Sequence, residues 1–176
     1  MLKILVQNVS GLDSRLFLTI FNLNGKKALD RVMCGLSRLG DGYFYAVVGL
    51  LLLFIDVKLA LKAIPAGLIA FALELAVYKI LKTQTRRFRP FEKIPGIRAL
   101  LPPPDKFSFP SGHTGAAFLM ATLFGSLISA LLIPLTIIAS LIGFSRIYNG
   151  LHFPSDVVMG MMLGVTCAKI GMAVIL

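Results

Sequence analysis

The 176 residues suffice for one domain of ordinary size, but 57% are hydrophobic, only 15% are charged, and mean hydropathy is +0.85. Soluble domains average roughly 45–50% apolar and about 25% charged residues, so a bilayer is the expected solvent. The net charge of +10 would suggest nucleic acid on a soluble protein. Here the cations lie in loops beside apolar runs and the aromatics are mostly Phe inside those runs, which argues against base stacking and nucleic acid and suits anionic lipid headgroups.

Met1–Leu12 carries one lysine and is broken by Gln7, Asn8 and Ser10. No cleavable leader is read there, and the first hydrophobic span is expected to act as its own targeting signal. Residues 12–39 are predicted to form two short amphipathic helices separated at Asn24-Gly25. Leu29, Val32, Met33 and Leu36 recur at helical spacing, with Lys27, Asp30, Arg31 and Arg38 on the other face. The pair is expected to pack on the bundle; the alternative places it at the membrane interface, helping to admit a lipid.

Five membrane spans follow, roughly 42–56, 59–81, 112–130, 132–148 and 156–176. A span needs about 20 apolar residues, with a range near 17–25. Pro65 and Pro134 are tolerated in membrane helices, and Cys34 and Cys167 are read as small packed hydrophobes. Residues 82–111 form one long loop rich in Arg, Lys and Pro. The expected architecture is an all-α integral-membrane bundle of five to six transmembrane helices, with amphipathic helices at the N-terminus and a single membrane-embedded domain over residues 1–176.

Counting crossings then places Lys82, His113, Arg146 and His152 on one face of the membrane. His113 and His152 are the only histidines in the chain. Arg and Lys clamp phosphate oxygens, the Arg fork bidentately. Ser111, Gly112 and His113 stand where a helix begins, and free N–H groups there attract anions; Gly112 permits close approach. His152 and Asp156, four apart, can meet on one helical turn. The carboxylate would fix the ring tautomer and leave the other nitrogen as a nucleophile. The second histidine would be free to protonate a leaving oxygen, and the cations to stabilise the transferring phosphoryl group. These residues alone do not fix which histidine attacks. A metal reading lacks a third His or Cys and any paired carboxylates, and Asp105 alone makes no metal site.

Three stretches resemble the type 2 phosphatidic acid phosphatase superfamily, whose signature is K-x6-RP, PSGH and SR-x5-H-x3-D. The chain matches all three without substitution: Lys82 through Arg89-Pro90, Pro110-Ser111-Gly112-His113, and Ser145-Arg146 through His152 to Asp156. The resemblance implies that His152 takes the phosphoryl group as phosphohistidine, that Asp156 orients it, and that His113 protonates the leaving oxygen and then activates water. It further implies that Lys82, Arg89 and Arg146 clamp phosphate with help from Ser111 and the Gly112 amide, without a metal or other cofactor. Family members commonly have six spans, and residues 12–39 stand where the sixth would be, or where smaller members carry short amphipathic helices.

The implied activity is hydrolysis of a phosphate monoester or pyrophosphate on a membrane lipid. Undecaprenyl pyrophosphate, lipid A phosphate, phosphatidylglycerophosphate and phosphatidic acid are the candidates. The alternative is a non-catalytic lipid transporter or scramblase using the same anion site. The partners expected are that phosphorylated lipid and the bilayer, and the sequence leaves the oligomeric state open. Most Lys and Arg fall on the catalytic face, which by the positive-inside rule would be cytoplasmic; the resemblance instead implies a bacterial inner-membrane protein with an extracytoplasmic site. Arg86, Arg87 and Glu74 are left without a role, the two arginines being read as solvated rather than as contacts for a second phosphate or sugar headgroup.

Overall fold

The computed structural model describes residues 10–176, so most of Met1–Leu12, where no leader was read, lies outside the described residues. The helices in chain order are α1 (Ser10–Phe21), α2 (Lys27–Leu39), α3 (Gly42–Ile55), α4 (Val57–Thr85), α5 (Pro90–Lys93), α6 (Gly112–Leu127), α7 (Leu132–Tyr148) and α8 (Pro154–Ile175). A short 3₁₀ turn, Ser129–Leu131, joins α6 to α7. No strand occurs among the described residues.

Among the described residues, three segments are long and apolar enough to cross a membrane: Val57–Lys93, Ser129–Tyr148 and Pro154–Ile175. The pair Lys27–Leu39 and Gly42–Ile55 would make a fourth if it is one span broken by a 58° bend. Thus α3, with 14 residues, and α6, with 16, are shorter than the five-span reading required. At 1.5 Å per residue α6 runs only about 24 Å.

α6 lies against α4, α7 and α8, and α4 also packs directly on α8. Small residues make these approaches possible. A side chain at Gly164 of α8 would run into the backbone of Gly115 on α6, and one at Gly160 into the Ser111 carbonyl. Ala70, Leu119, Cys167 and Ala168 fill the α4–α6–α8 seam, so Cys167 packs as a small hydrophobe. Large apolar side chains point outward on every long helix, among them Leu61, Leu68, Ile133, Ile137, Val158 and Met162.

The N-terminal helices sit over the site end of this bundle. Phe17 of α1 is fully buried against Ile147 and Phe153. α2 does not simply turn its apolar stripe inward. Val32 is 56% exposed, whereas Ser37 is buried and Asp30 accepts a hydrogen bond from the Tyr148 hydroxyl at 2.6 Å. Periodicity failed here because two polar residues of α2 have partners on α7, which satisfies them better than water would.

The helix ends set the motif spacings. α4 stops where Arg86 adopts a left-handed φ of 46°, its N–H bonded to the Lys82 carbonyl. The extended residues that follow return Arg89 to the same side as Lys82. α7 stops through Gly150, at φ 76°, a conformation glycine adopts at little cost. The Arg146 carbonyl then accepts from both Leu151 (3.1 Å) and His152 (3.3 Å), fixing arginine and histidine to one turn.

Placing a valine at Gly164 is expected to separate α6 from α8. Overpacking costs about 1–3 kcal/mol, so thermal unfolding in detergent should shift down measurably. Gly49→Val, where a side chain meets nothing within 4 Å, should leave the transition nearly unchanged.

Candidate active site

The three motif stretches meet at one end of the bundle. Ser37, Arg38, Asp41, Leu101, Pro102, Pro104, His113 and Arg146 line a cavity of about 200 Å³. Arg146 is 3% exposed. Its Nη1 donates to the Ser37 hydroxyl at 2.5 Å, while Nε and Nη2 have no hydrogen-bond partner among the described residues. Those two donors form the edge of the guanidinium that grips an oxyanion bidentately. Leaving them unpaired costs about 1–3 kcal/mol each, so an anion bound there gains from their satisfaction.

Arg89 is fully buried and stands beside His152. Its Nη1 donates to the Leu151 carbonyl at 2.8 Å and lies 3.3 Å from His152 Nε2. Arginine can only donate, so Nε2 is the accepting nitrogen and the ring proton belongs on Nδ1. Nδ1 faces Asp156 Oδ2 at 3.7 Å, too long for a hydrogen bond, and no other described residue accepts from it. Catalytic hydrogen bonds often tighten only with substrate bound. Burial, then the charges of Arg89, Arg146 and Lys82, push the His152 imidazole well below its usual 6.5. The neutral ring therefore presents its Nε2 lone pair to the cations.

Asp156 is itself fully buried at the start of α8. Oδ2 accepts from the Phe153 amide at 2.8 Å, capping the helix, and Oδ1 accepts from Arg87 Nη1 at 2.5 Å. Arg87 also pairs with Asp13 of α1, which in turn accepts from the Ser155 amide at 2.9 Å and from its hydroxyl. The solvated reading of Arg87 is therefore wrong: 7% exposed, it joins α1 to the His152–Asp156 turn. Arg86 is exposed, as that reading held.

Lys82 and Arg89 share a partner that motif spacing did not reveal. The Asp105 carboxylate accepts from Lys82 Nζ, from Arg89 Nη2 at 2.8 Å and from the Tyr78 hydroxyl at 2.5 Å. Burial alone would raise its pKa, but the bonds from Lys82 and Tyr78 and the charge of Arg89 hold it below the usual carboxylate range. Lys82 also donates to the Phe107 carbonyl at 2.8 Å.

In the PSGH turn, the Ser111 amide donates to the Asp156 carbonyl at 3.0 Å, tying α6 to α8. Its buried hydroxyl meets that of Thr114 at 2.9 Å. The close approach at Gly112 is to the Tyr78 ring, which a Cβ would meet at 2.8 Å. His113 Nε2 lies 2.8 Å from Asp41 Oδ1. Glu74 stands apart from the cavity, buried where Gly115 has no side chain, and its Oε1 has no partner among the described residues.

The structure thus gathers all eight sequence-predicted residues at one end. The sequence reading missed Asp13, Ser37, Asp41, Tyr78 and Arg87, and it mentioned Asp105 only to discount a metal. For the three acids the available signal was that lone carboxylates in an apolar, basic chain require cationic partners; Ser37, Tyr78 and Arg87 offered none.

Two arginines and an imidazole lining a cavity, with a second imidazole nearby against Arg89, at the end of an apolar helical bundle, are the equipment of a membrane phosphatase. Comparison with known proteins agrees and is more specific: the chain belongs to the PAP2 superfamily, which matches residues 65–176. It is 33% identical over 170 residues to an undecaprenyl-diphosphatase of Sulfolobus acidocaldarius, covering 90% of this chain and 75% of that protein. The crystal structure of Aquifex aeolicus LpxE superimposes with a TM-score of 0.81 at 31% identity, over 90% of this chain and 93% of that one. A transmembrane PAP2-type phosphatidylglycerolphosphate phosphatase from Bacillus subtilis shares the fold, with a TM-score of 0.73 at 24% identity, over 95% and 86% of the two chains. The protein is an enzyme, a phosphatase of this family, and among its structural neighbours are membrane phosphatases.

Replacing Arg87 by Ala would leave Asp13 and Asp156 buried without their cation. Breaking a buried pair costs about 3–5 kcal/mol, so thermal stability in detergent should fall by that order. Asp13→Asn, which keeps the shape and most hydrogen bonds, should cost less.

Proposed function

We propose that the protein removes a phosphate from a phosphorylated membrane lipid through a phosphohistidine on His152, without a metal. The observation that supports it most is the Arg146 Nε–Nη2 edge, buried and unsatisfied in a cavity shared with His113. Phosphate oxygens there would satisfy Arg146, with Lys82 and Arg89 adding charge and with Ser111 and the Gly112 amide assisting at the start of α6. His152 Nε2 attacks phosphorus while the bond to the lipid oxygen breaks. Asp156 takes the hydrogen bond from Nδ1–H and stabilises the positive charge on the ring. His113 gives a proton to the departing oxygen. Water then attacks the phosphohistidine, His113 takes its proton, the P–N bond breaks to restore the Nε2 lone pair, and inorganic phosphate leaves.

The substrate best supported is a polyprenyl diphosphate such as undecaprenyl pyrophosphate, on the likeness to the Sulfolobus enzyme. Lipid A phosphate, phosphatidylglycerophosphate and phosphatidic acid follow. In this reading the chain works as one membrane-embedded unit. α3, α4, α6, α7 and α8 cross the bilayer, and the site opens to the extracytoplasmic face of the inner membrane.

Purified protein in detergent, given prenyl diphosphate, glycerophospholipid phosphate and lipid A in parallel, should release phosphate fastest from the prenyl diphosphate, and EDTA should not diminish the rate. His152→Ala should abolish release. Loss of activity in EDTA would refute the metal-free route, and activity retained in His152→Ala would refute the nucleophile.

A further inference from the structure

The second histidine is held by a carboxylate of its own, delivered by the break between α2 and α3. Residues 37–41 touch the site at three points. The Ser37 hydroxyl accepts from Arg146 Nη1. Gly40 packs so closely that an added Cβ would lie 3.1 Å from His113 Cβ and 3.0 Å from Ile142. Asp41 then places Oδ1 2.8 Å from His113 Nε2. Asp41 precedes α3, yet its side chain makes no capping bond to that helix. Its carboxylate is thus directed to the imidazole rather than to the helix end, although such caps contribute about 0.5–2 kcal/mol.

A carboxylate only accepts, so Nε2 carries a proton and Nδ1 is the nitrogen that gains and gives one. The other charges facing the ring are Arg146 from α7 and Arg89 from the segment after α4, with Arg38 of α2 lining the same cavity. Those cations disfavour a positively charged ring, and Asp41 supplies the opposing charge.

We propose that Asp41 is a positioning residue for the reaction: it orients His113 and stabilises the imidazolium that protonates the leaving lipid oxygen. This rests on the reading of His113 as the proton donor. As the P–O bond breaks, its electron pair stays on the lipid oxygen, which takes the Nδ1 proton. The ring becomes neutral with Nε2–H still donated to Asp41. The site then holds two carboxylate–imidazole pairs, Asp156 with the nucleophile and Asp41 with the acid.

Leaving-group dependence tests this. kcat/KM is measured for an alkyl phosphate lipid, whose alkoxide must be protonated, and for p-nitrophenyl phosphate, whose phenolate leaves with little help. Inhibition by inorganic phosphate reports the intact cradle. General acids contribute about 10²–10⁴-fold, so His113→Asn should lose about 100-fold or more on the alkyl ester and far less on the aryl ester. Asp41→Asn should lose roughly 10-fold on the alkyl ester, a fraction of that general-acid contribution, and little on the aryl ester. Its phosphate inhibition should be unchanged, and Asp41→Glu should recover part of the rate. Equal losses on both esters in His113→Asn would overturn the donor assignment itself. A clear split in His113→Asn with none in Asp41→Asn, or weakened phosphate inhibition in Asp41→Asn, would overturn the role of Asp41 alone.

Discussion

Charge can be kept inside an apolar bundle only where opposite charge or a hydrogen bond meets it, and that constraint organises this molecule. Asp156 has no exposed surface, Arg89 has none, and Arg87 has 7%. Each stands because of another: Asp156 with Arg87, Arg87 with Asp13, Arg89 with Asp105. Arg146 differs, since two of its donors have no partner among the described residues and stand beside the cavity. Arg87 thus holds the scaffold together, Arg146 keeps donors for a ligand, and Arg89 is anchored by Asp105 while its charge stands beside His152.

The chain has eight acids against eighteen Lys and Arg, and nearly every acid has a defined task. Asp56 caps α4 through the Leu59 amide, Glu92 accepts from the Arg89 amide, and Asp30 accepts from Tyr148. Asp13, Asp41, Asp105 and Asp156 converge on the site. Glu74 is the exception, with an oxygen that has no partner among the described residues. In a strongly basic membrane protein the scarce acids therefore carry more positional information than the abundant cations do.

This explains what could be read in advance. Lys82, Arg89, His113, Arg146, His152 and Asp156 were legible because helix ends fix their spacing within short stretches, and the all-helical bundle was legible from long apolar runs. Asp13, Ser37, Asp41 and Asp105 come from segments far along the chain from their partners, so no periodicity announces them. α2 misled for a related reason. Its stripe of Leu29, Val32, Met33 and Leu36 implied an apolar inner face, but the contacts that seat it are also made by Asp30 and Ser37. The span count was the least legible feature, because α3 is only 14 residues long and α6 ends at Leu127, sooner than its apolar sequence does.

The bend at Gly40-Asp41 carries an implication for how such a chain can diversify. Every signature residue lies after position 80, whereas the groups that brace Arg87, Arg146 and His113 come from positions 13, 37 and 41. The leading third thus supplies the site with an acid or a hydroxyl at three points while carrying none of the signature. Two homologues could share the whole signature and still differ in the surroundings of their proton donor, and a fragment trimmed to the recognisable region would retain the letters of the motif without the counter-charges that make it work.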